Sequence, residues 1–533
     1  MKRNNLLFIM LLIGLVLIGY SWWHSWPLTV ESIDDVVFNH VSPLYWLGLA
    51  ISLGSMLAIS FTSQSRRVKW LLAVGFVLAT YSLLFFYFTL PGADSQAFRG
   101  LTEYFIQTGD LNPSLQTHSY FQWPSFFILS DIATSISGLS LLNFEFLLFG
   151  IMCTIYASAL YVYGTSSFKQ AGFAAVAAFF VGMFFFLNFQ GVPYTLAFGL
   201  LLLLFMLETR TANRNLLIIQ LVIYVGITFT HPFAPLFFVL YLLVRFLISR
   251  ERKYLGLAFL TSTIFLVVQV VRAWDSFIRN IVVVLFTPPD DFSLIVANSF
   301  APISHPVDQV AQMFSRSVTI AVIGFCILGF FLMLIKGKLR STDKAILVTG
   351  VVYSVIGVVL YTIGSRAYSL VFIPLSLGVP YLLGSRFKRF VKPVFLLLII
   401  LFVAVPLHNS FPSSEVGYQT EEAYRTENFL IDHYNWTKES VLLSHFRAMQ
   451  YIQTKYYVQN RQSSPALFEH DIYSPTFPSM EEYDCILYTL GLGSNLLTYN
   501  YTLDSIAQSE QFNMVFSSGL SNVLIRSNFN KTG

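Results

Sequence analysis

Residues 171–207 carry no charged side chain, and between 215 and 244 only His231 breaks the uncharged run. A soluble domain has no interior large enough for a series of such stretches. A helix of about 20 apolar residues, by contrast, crosses the roughly 30 Å of hydrocarbon in a bilayer. Comparable runs fall near 5–21, 43–61, 69–90, 141–163, 171–188, 193–208, 214–230, 232–249, 254–272, 317–336, 345–362, 366–384 and 390–407. With hydrophobic residues at 55% and charged residues at 11%, the chain is expected to be a polytopic all-α membrane protein of about thirteen spans. A soluble enzyme is excluded.

The charges between the runs alternate in sign. Lys2 and Arg3, "SRRVK" (65–69), Lys169, Arg210 with Arg214, "SRERK" (249–253), "KGKLR" (336–340) with Lys344, and "SRFKRFVK" (385–392) fall in one set of loops. The other set is acidic or neutral: "ESIDD" (31–35), 91–121, "FQG" (189–191), Thr230-His231-Pro232 and 273–316. Lys and Arg gather on the cytoplasmic side of membrane proteins. The N-terminus is therefore expected in the cytoplasm of a plasma membrane or its equivalent, and the acidic loops outside. The net charge of +4 sets topology in such a chain and implies no nucleic-acid partner; the expected partner is the lipid bilayer. This alternation requires that 122–138, "QWPSFFILSDIATSISG", does not cross, as Pro124 and Asp131 suggest. The opening "MKRNNLLFIMLLIGLVLIGYSWW" resembles a signal peptide but has no A-x-A-like cleavage site before Trp22, so it is expected to remain as the first span. Trp22, Trp23, Trp26 and Trp46 form an interfacial aromatic belt.

The division into domains follows from composition. Residues 1–407 form the transmembrane domain, with outer loops 91–140 and 273–316, and 408–533 have the polarity of a soluble domain. "EEAYRTENFLIDHY" has helical amphipathicity, "SVLLSHF" and "YDCILYTLG" alternate like strands, and "FNMVFSSGLSNVLIRS" suggests a hairpin turning at Ser518-Gly519. A small extracytoplasmic α/β domain is expected. N-x-S/T sequons at Asn435, Asn500 and Asn530 are compatible with that side, though such triplets are common by chance. Cys153 and Cys326 lie in apolar runs and Cys485 stands alone after 407, so no disulfide staples this domain and no C-x-x-C metal spacing exists.

Chemistry-bearing side chains concentrate where runs meet the acidic loops. Asp94, in "PGADSQAFRG", follows the run ending at Leu90, with Glu103 and Asp110 further along the same loop. Asp94 is either the N-cap of a helix over 95–108 or a reactive carboxylate held at the membrane surface, and the residue pattern alone favours neither. Glu103 suits a solvated helix face or a second acid. Asp290 and Asp291, in "TPPDDF", suit a turn, with metal or acceptor contact as the sharper reading. His231 suits a satisfied histidine at a helix end or a substrate contact, and His118 a loop residue. Arg366, in "TIGSRAY", is either an anchor snorkelling to the headgroups or a phosphate ligand.

"PGADSQAFRGLTEYFIQTGDLNP" followed by "YFQWPSFFIL" resembles the first luminal loop of the GT-C superfamily. Those membrane glycosyltransferases use polyprenyl-phosphate sugars and include protein O-mannosyltransferases, the lipid A aminoarabinose transferase and oligosaccharyltransferases. "NFQGVPYTLAFGLLLLL", "THPFAPLFFVLYLL" and "GSRAYSLVFIPLSLGVPYLL" are similar to later spans of that family, so the likeness covers roughly 69–407 in layout. Two spans precede the run that leads into the Asp-bearing loop, where the family usually has one span before that loop, and Ser95 stands where the family often has Glu. The resemblance implies a membrane transferase that moves a sugar from a polyprenyl-phosphate donor to an extracytoplasmic glycan, lipid or protein acceptor, with inversion. Asp94 would be the catalytic base, 95–108 an interfacial helix, "QWPSFFIL" a re-entrant segment and Arg366 a donor-phosphate contact. Glu103, His231, Asp290 and Asp291 would be further substrate-binding candidates. A divalent metal, Mg or Mn, is compatible with this chemistry but not required by the sequence.

Two other classes share these features. A transporter or flippase for a lipid-linked glycan has similar spans, but it lines a through-path with ionisable residues near the midplane. A non-catalytic scaffold would use 408–533 to hold a partner and leave Asp94 dispensable.

Overall fold

The computed structural model describes residues 3–26, 41–62, 64–86, 93–109, 111, 119–168, 172–183, 192–209, 214–273, 306–359, 364–385 and 387–402, with short segments between 425 and 526. Among the described residues sixteen helices occupy the apolar part. They are α1 (Arg3–Ser25), α2 (Pro43–Ser60), α3 (Arg66–Thr80), α4 (Ala93–Thr108), α5 (Ser125–Ser137), α6 (Leu141–Ser167), α7 (Gly172–Met183) and α8 (Pro193–Glu208), followed by α9 (Arg214–Thr228), α10 (Ala234–Ser249), α11 (Arg252–Val268), α12 (Pro306–Ile335), α13 (Ser341–Val359), α14 (Gly364–Leu375), α15 (Gly378–Gly384) and α16 (Lys388–Leu401). The described residues through 402 thus belong to an all-α protein of membrane type. Among the described residues five helices are long and apolar enough to cross a bilayer: Asn4–Ser25, Pro43–Ser60, Leu141–Ser167, Arg252–Val271 and Ser317–Ile335.

Several apolar runs are not single helices. The run 69–90 is helical to Thr80 and then tightens into a 3₁₀ turn over Ser82–Phe86. The run 366–384 breaks at Ser376-Leu377 after Pro374, which cannot donate to the preceding turn. The run 254–272 ends in a π-helical turn over Gln269–Ala273. α12 starts at Pro306, so it takes the last residues assigned to the outer loop 273–316 into a helix. Proline is favoured at a first helical position because its missing N–H has no intrahelical partner there.

The helix at the middle of the bundle is α7, "GFAAVAAFFVGM", whose twelve residues are all buried. Its neighbours are α2, α3, α6, α12, α14 and α15. Small residues let helices approach closely where lipid offers no hydrophobic drive to associate. α12 and α15 show this best: a Cβ on Gly329 would overlap the carbonyl of Gly378, and one on Gly378 the carbonyl of Cys326. The outward side chains are apolar as well, with Phe259 76% and Leu247 59% exposed, as a lipid-facing surface requires.

Past 402, the described residues form a five-stranded sheet of β1 (Val441–Ser444), β2 (Ala466–Glu469), β3 (Cys485–Thr489), β4 (Phe512–Ser517) and β5 (Ser521–Arg526). The strand order is β2-β1-β3-β5-β4. β1 runs parallel to β2 and β3, while β5 is antiparallel to both β3 and β4. The β4–β5 register shifts between Met514 and Phe516. Phe429 and His433, one helical turn apart within "EEAYRTENFLIDHY", bring their rings to 4.8 Å.

Candidate functional site

α4 carries apolar residues at helical spacing, and Phe98, Leu101, Tyr104 and Phe105 are buried. This face lies on α5: the Phe98 ring is 6.4 Å from both Phe126 and Phe127, and Tyr104 is 6.0 Å from Phe121. α5 has 13 residues, about 20 Å of helix. It stops at Gly138, whose φ of 68° lies in the left-handed region that favours glycine. Its start is tied to the turn between α9 and α10, where the Ser125 N–H donates to the Phe229 carbonyl at 3.1 Å.

Under this pair lies a buried ion pair. Arg99, on the inner face of α4, donates from Nε to both Glu145 carboxylate oxygens (3.2 and 3.1 Å) and from Nη2 to Oε2 at 2.7 Å. Arg99 is 0% and Glu145 3% exposed. The fork of a guanidinium matches a carboxylate in this two-point way, and such a match is needed to offset several kcal/mol of desolvation per ion. Glu145 also lines a small pocket with Phe126, Phe149, Met152, Val192 and Thr195. Glu103 stands one turn from Arg99 on α4, half-buried, and its charge acts on Glu145. Neither Arg99 nor Glu145 stands out in a search confined to loops. The signal was Glu145 itself, the one charged residue between Leu141 and Phe168.

The sequence candidates fall in and around this region unevenly. α4 opens at Ala93, so Asp94 sits inside its first turn rather than ahead of a helix over 95–108. His231 is buried, and its Nδ1 accepts the Phe233 and Ala234 N–H groups at 3.2 Å each, which caps α10. Its ring is 5.3 Å from Tyr194, next to Thr195 of the pocket. Arg366 falls in the first turn of α14. Asp290 and Asp291 lie outside the described residues, as do Asp110 and His118. The structure therefore brings Glu103 to the Arg99–Glu145 pair and His231 to the neighbouring turn. Asp94 and Arg366 are placed by backbone position alone. Among the described residues no group of three His, Cys, Asp or Glu side chains is arranged to hold a metal.

The opposite end of α6 holds a second polar cluster. The Tyr163 hydroxyl donates to Asp343 Oδ1 at 2.6 Å, Arg340 binds the same carboxylate through Nη2 and Nε at 2.7 and 3.0 Å, and Arg340 Nη1 donates to the Ser166 hydroxyl. Burial works against the charge on Arg340, but its bonds to the Asp343 carboxylate outweigh it and hold the guanidinium still more firmly protonated. The Tyr161 hydroxyl donates to the Arg66 carbonyl at 3.0 Å, and Lys392 lies 5.5 Å from the centre of the Phe61 ring. Basic loops 65–69, 336–344 and 385–392 thus meet at one end of the bundle. Tyr163 follows Glu145 by eighteen residues, roughly 27 Å along a helix, about the thickness of a hydrocarbon core. Comparison with protein-family models finds no match, and neither does comparison with curated proteins.

Proposed function

We propose that the protein is a membrane glycosyltransferase of GT-C type, working at the end of the bundle formed by α4, α5 and the start of α6. The observation that carries this reading is α4, an amphipathic helix with a carboxylate in its first turn, packed over the short helix α5 beside the buried Arg99–Glu145 pair. In this reading the chain has about thirteen spans with its N-terminus in the cytoplasm. Residues 408–533 then form an extracytoplasmic α/β domain around the five-stranded sheet.

An acceptor hydroxyl or amide attacks the anomeric carbon of a polyprenyl-phosphate sugar. Asp94 takes the acceptor's proton as the new bond forms, and the bond from sugar to phosphate oxygen breaks on the opposite side, inverting the centre. The leaving phosphate needs no proton, but its growing charge needs a cation, the role given to Arg366. Buried along α6 between the two polar ends are Leu148, Phe149, Met152, Cys153, Tyr156, Ala157 and Leu160. That apolar stretch supports a transferase over a flippase, because a flippase needs ionisable groups along its path.

The test is a transfer assay on purified protein with a panel of radiolabelled polyprenyl-phosphate sugars and lipid or peptide acceptors. Transfer from at least one donor is expected. No transfer from any donor, with a lipid-linked glycan crossing protein-containing vesicles, would point to the flippase. Arg366→Ala should weaken donor binding and slow turnover together, with partial rescue by Lys; normal kinetics in the Ala variant would remove Arg366 from the site. For orientation, a cysteine placed in 336–344 or 385–392 should react with reagents only from the cytoplasmic side, and one placed in 408–533 only from outside. External labelling at 385–392 would reverse the assignment.

A further inference from the structure

Arg245 sits on α10 near the end that carries the basic loops, and it is only 8% exposed. Its guanidinium stacks 5.1 Å from the centre of the Tyr254 ring. Nε and Nη1 are both buried and make no hydrogen bond among the described residues. Glu208, which accepts a hydrogen bond from Gln220 at 2.8 Å, attracts Arg245 from beyond ion-pairing distance. Lys253 is held at 2.7 Å by Glu251. Two buried donors on a permanent cation carry a large desolvation cost, unlike Arg99, whose fork is filled by Glu145.

We propose that Arg245 is the core of a binding site for the phosphate of an anionic phospholipid in the leaflet next to the basic loops. Two independent features point to a lipid rather than a soluble anion. Arg250, Arg252 and Lys253 are exposed around the site, so positive charge exceeds the opposing Glu208 and Glu251. The flanking helices α9 and α11 present bare apolar side chains along the depth of the membrane, with Val222 66% and Phe259 76% exposed, where acyl chains would lie. Guanidinium N–H groups match phosphate oxygens at two points, which a lysine ammonium cannot reproduce. Basic residues beside a membrane surface also attract anionic lipid over distances of about a Debye length.

The experiment compares the full-length protein with Arg245→Met and Arg245→Lys in nanodiscs of phosphatidylcholine alone or mixed with phosphatidylglycerol. Retained lipid is read by native mass spectrometry and stability by melting. The wild type should retain phosphatidylglycerol in preference to phosphatidylcholine and melt several degrees higher in its presence. Arg245→Met should weaken that retention at least about tenfold and abolish the melting gain, while melting no lower than wild type in phosphatidylcholine alone, since an unpaired buried charge has been removed. Arg245→Lys should fall between the two. Equal retention by Arg245→Met and wild type would overturn the proposal. So would a variant that fails to fold or melts lower in phosphatidylcholine, which would mean that Arg245 serves the protein's own packing. The same melting gain from inorganic phosphate or glycerol phosphate would reject the lipid as occupant.

Discussion

Under the proposed function, Asp94→Asn is expected to fold as the wild type does and to transfer sugar at least about a hundredfold more slowly, the low end of what a general base contributes. Asp94 lies in the first turn of α4, where a negative charge gains about 0.3–1 kcal/mol from the helix dipole. Asn gives up that small gain but keeps the size and most of the hydrogen bonding of the side chain. A melting curve in detergent should therefore hardly move. The carboxylate's ability to accept the acceptor's proton is what the substitution removes. Single-turnover transfer with saturating donor, measured beside the melting curve, separates the two contributions. An Asn variant with full activity would leave Asp94 as an ordinary first-turn acid and sink the catalytic assignment.

The second large effect concerns stability. Glu145→Gln takes from the buried Arg99 a carboxylate that accepts three hydrogen bonds from its guanidinium, and a neutral amide cannot replace it. Breaking such a pair on one side costs about 3–5 kcal/mol. A sharp loss of folded protein on size-exclusion chromatography and an early melting transition are expected. Arg99→Met combined with Glu145→Leu removes both charges and fills the space with apolar atoms, so most of the stability should return. The cycle of single and double variants gives the coupling directly. If the single variants cost no more than the double, the two residues do not depend on each other. A double variant that melts normally but transfers no sugar would place the pair in the reaction as well as in the fold.

The membrane character and the helical plan were legible because a bilayer imposes one strong rule on every span: long apolar runs with charge at their ends. The stretch 122–138, expected not to cross from Pro124, Asp131 and the alternation of loop charge, holds the short helix α5. What the bilayer rule could not locate was the Arg99–Glu145 pair. Arg99 reads as one more polar residue of an amphipathic helix, and Glu145 as a stray charge four residues into an apolar run. Only their meeting, 46 positions apart, gives either a meaning. The breaks at Thr80 and Ser376 escaped for the opposite reason: hydropathy does not change there, and backbone geometry does. His231 shows a third case. Its position at a helix start was visible, but that its Nδ1 would accept two backbone N–H groups depends on the tight turn before Ala234.

The burial of α7 bears on how the chain is made. Its neighbours α12, α14 and α15 are encoded after residue 306, so the ribosome delivers α7 long before they exist. At about 5–20 residues per second the wait lasts many seconds. A soluble core segment left bare for that time invites aggregation. α7 has no such difficulty, because acyl chains are as apolar as the helices that will replace them. Biogenesis then proceeds by exchange: lipid surrounds α7 first, and later helices displace it sideways. A chain stopped at about residue 300 would insert α7 normally yet leave it open to lipid, where a crosslinker carried on an acyl chain could reach side chains that the finished protein hides.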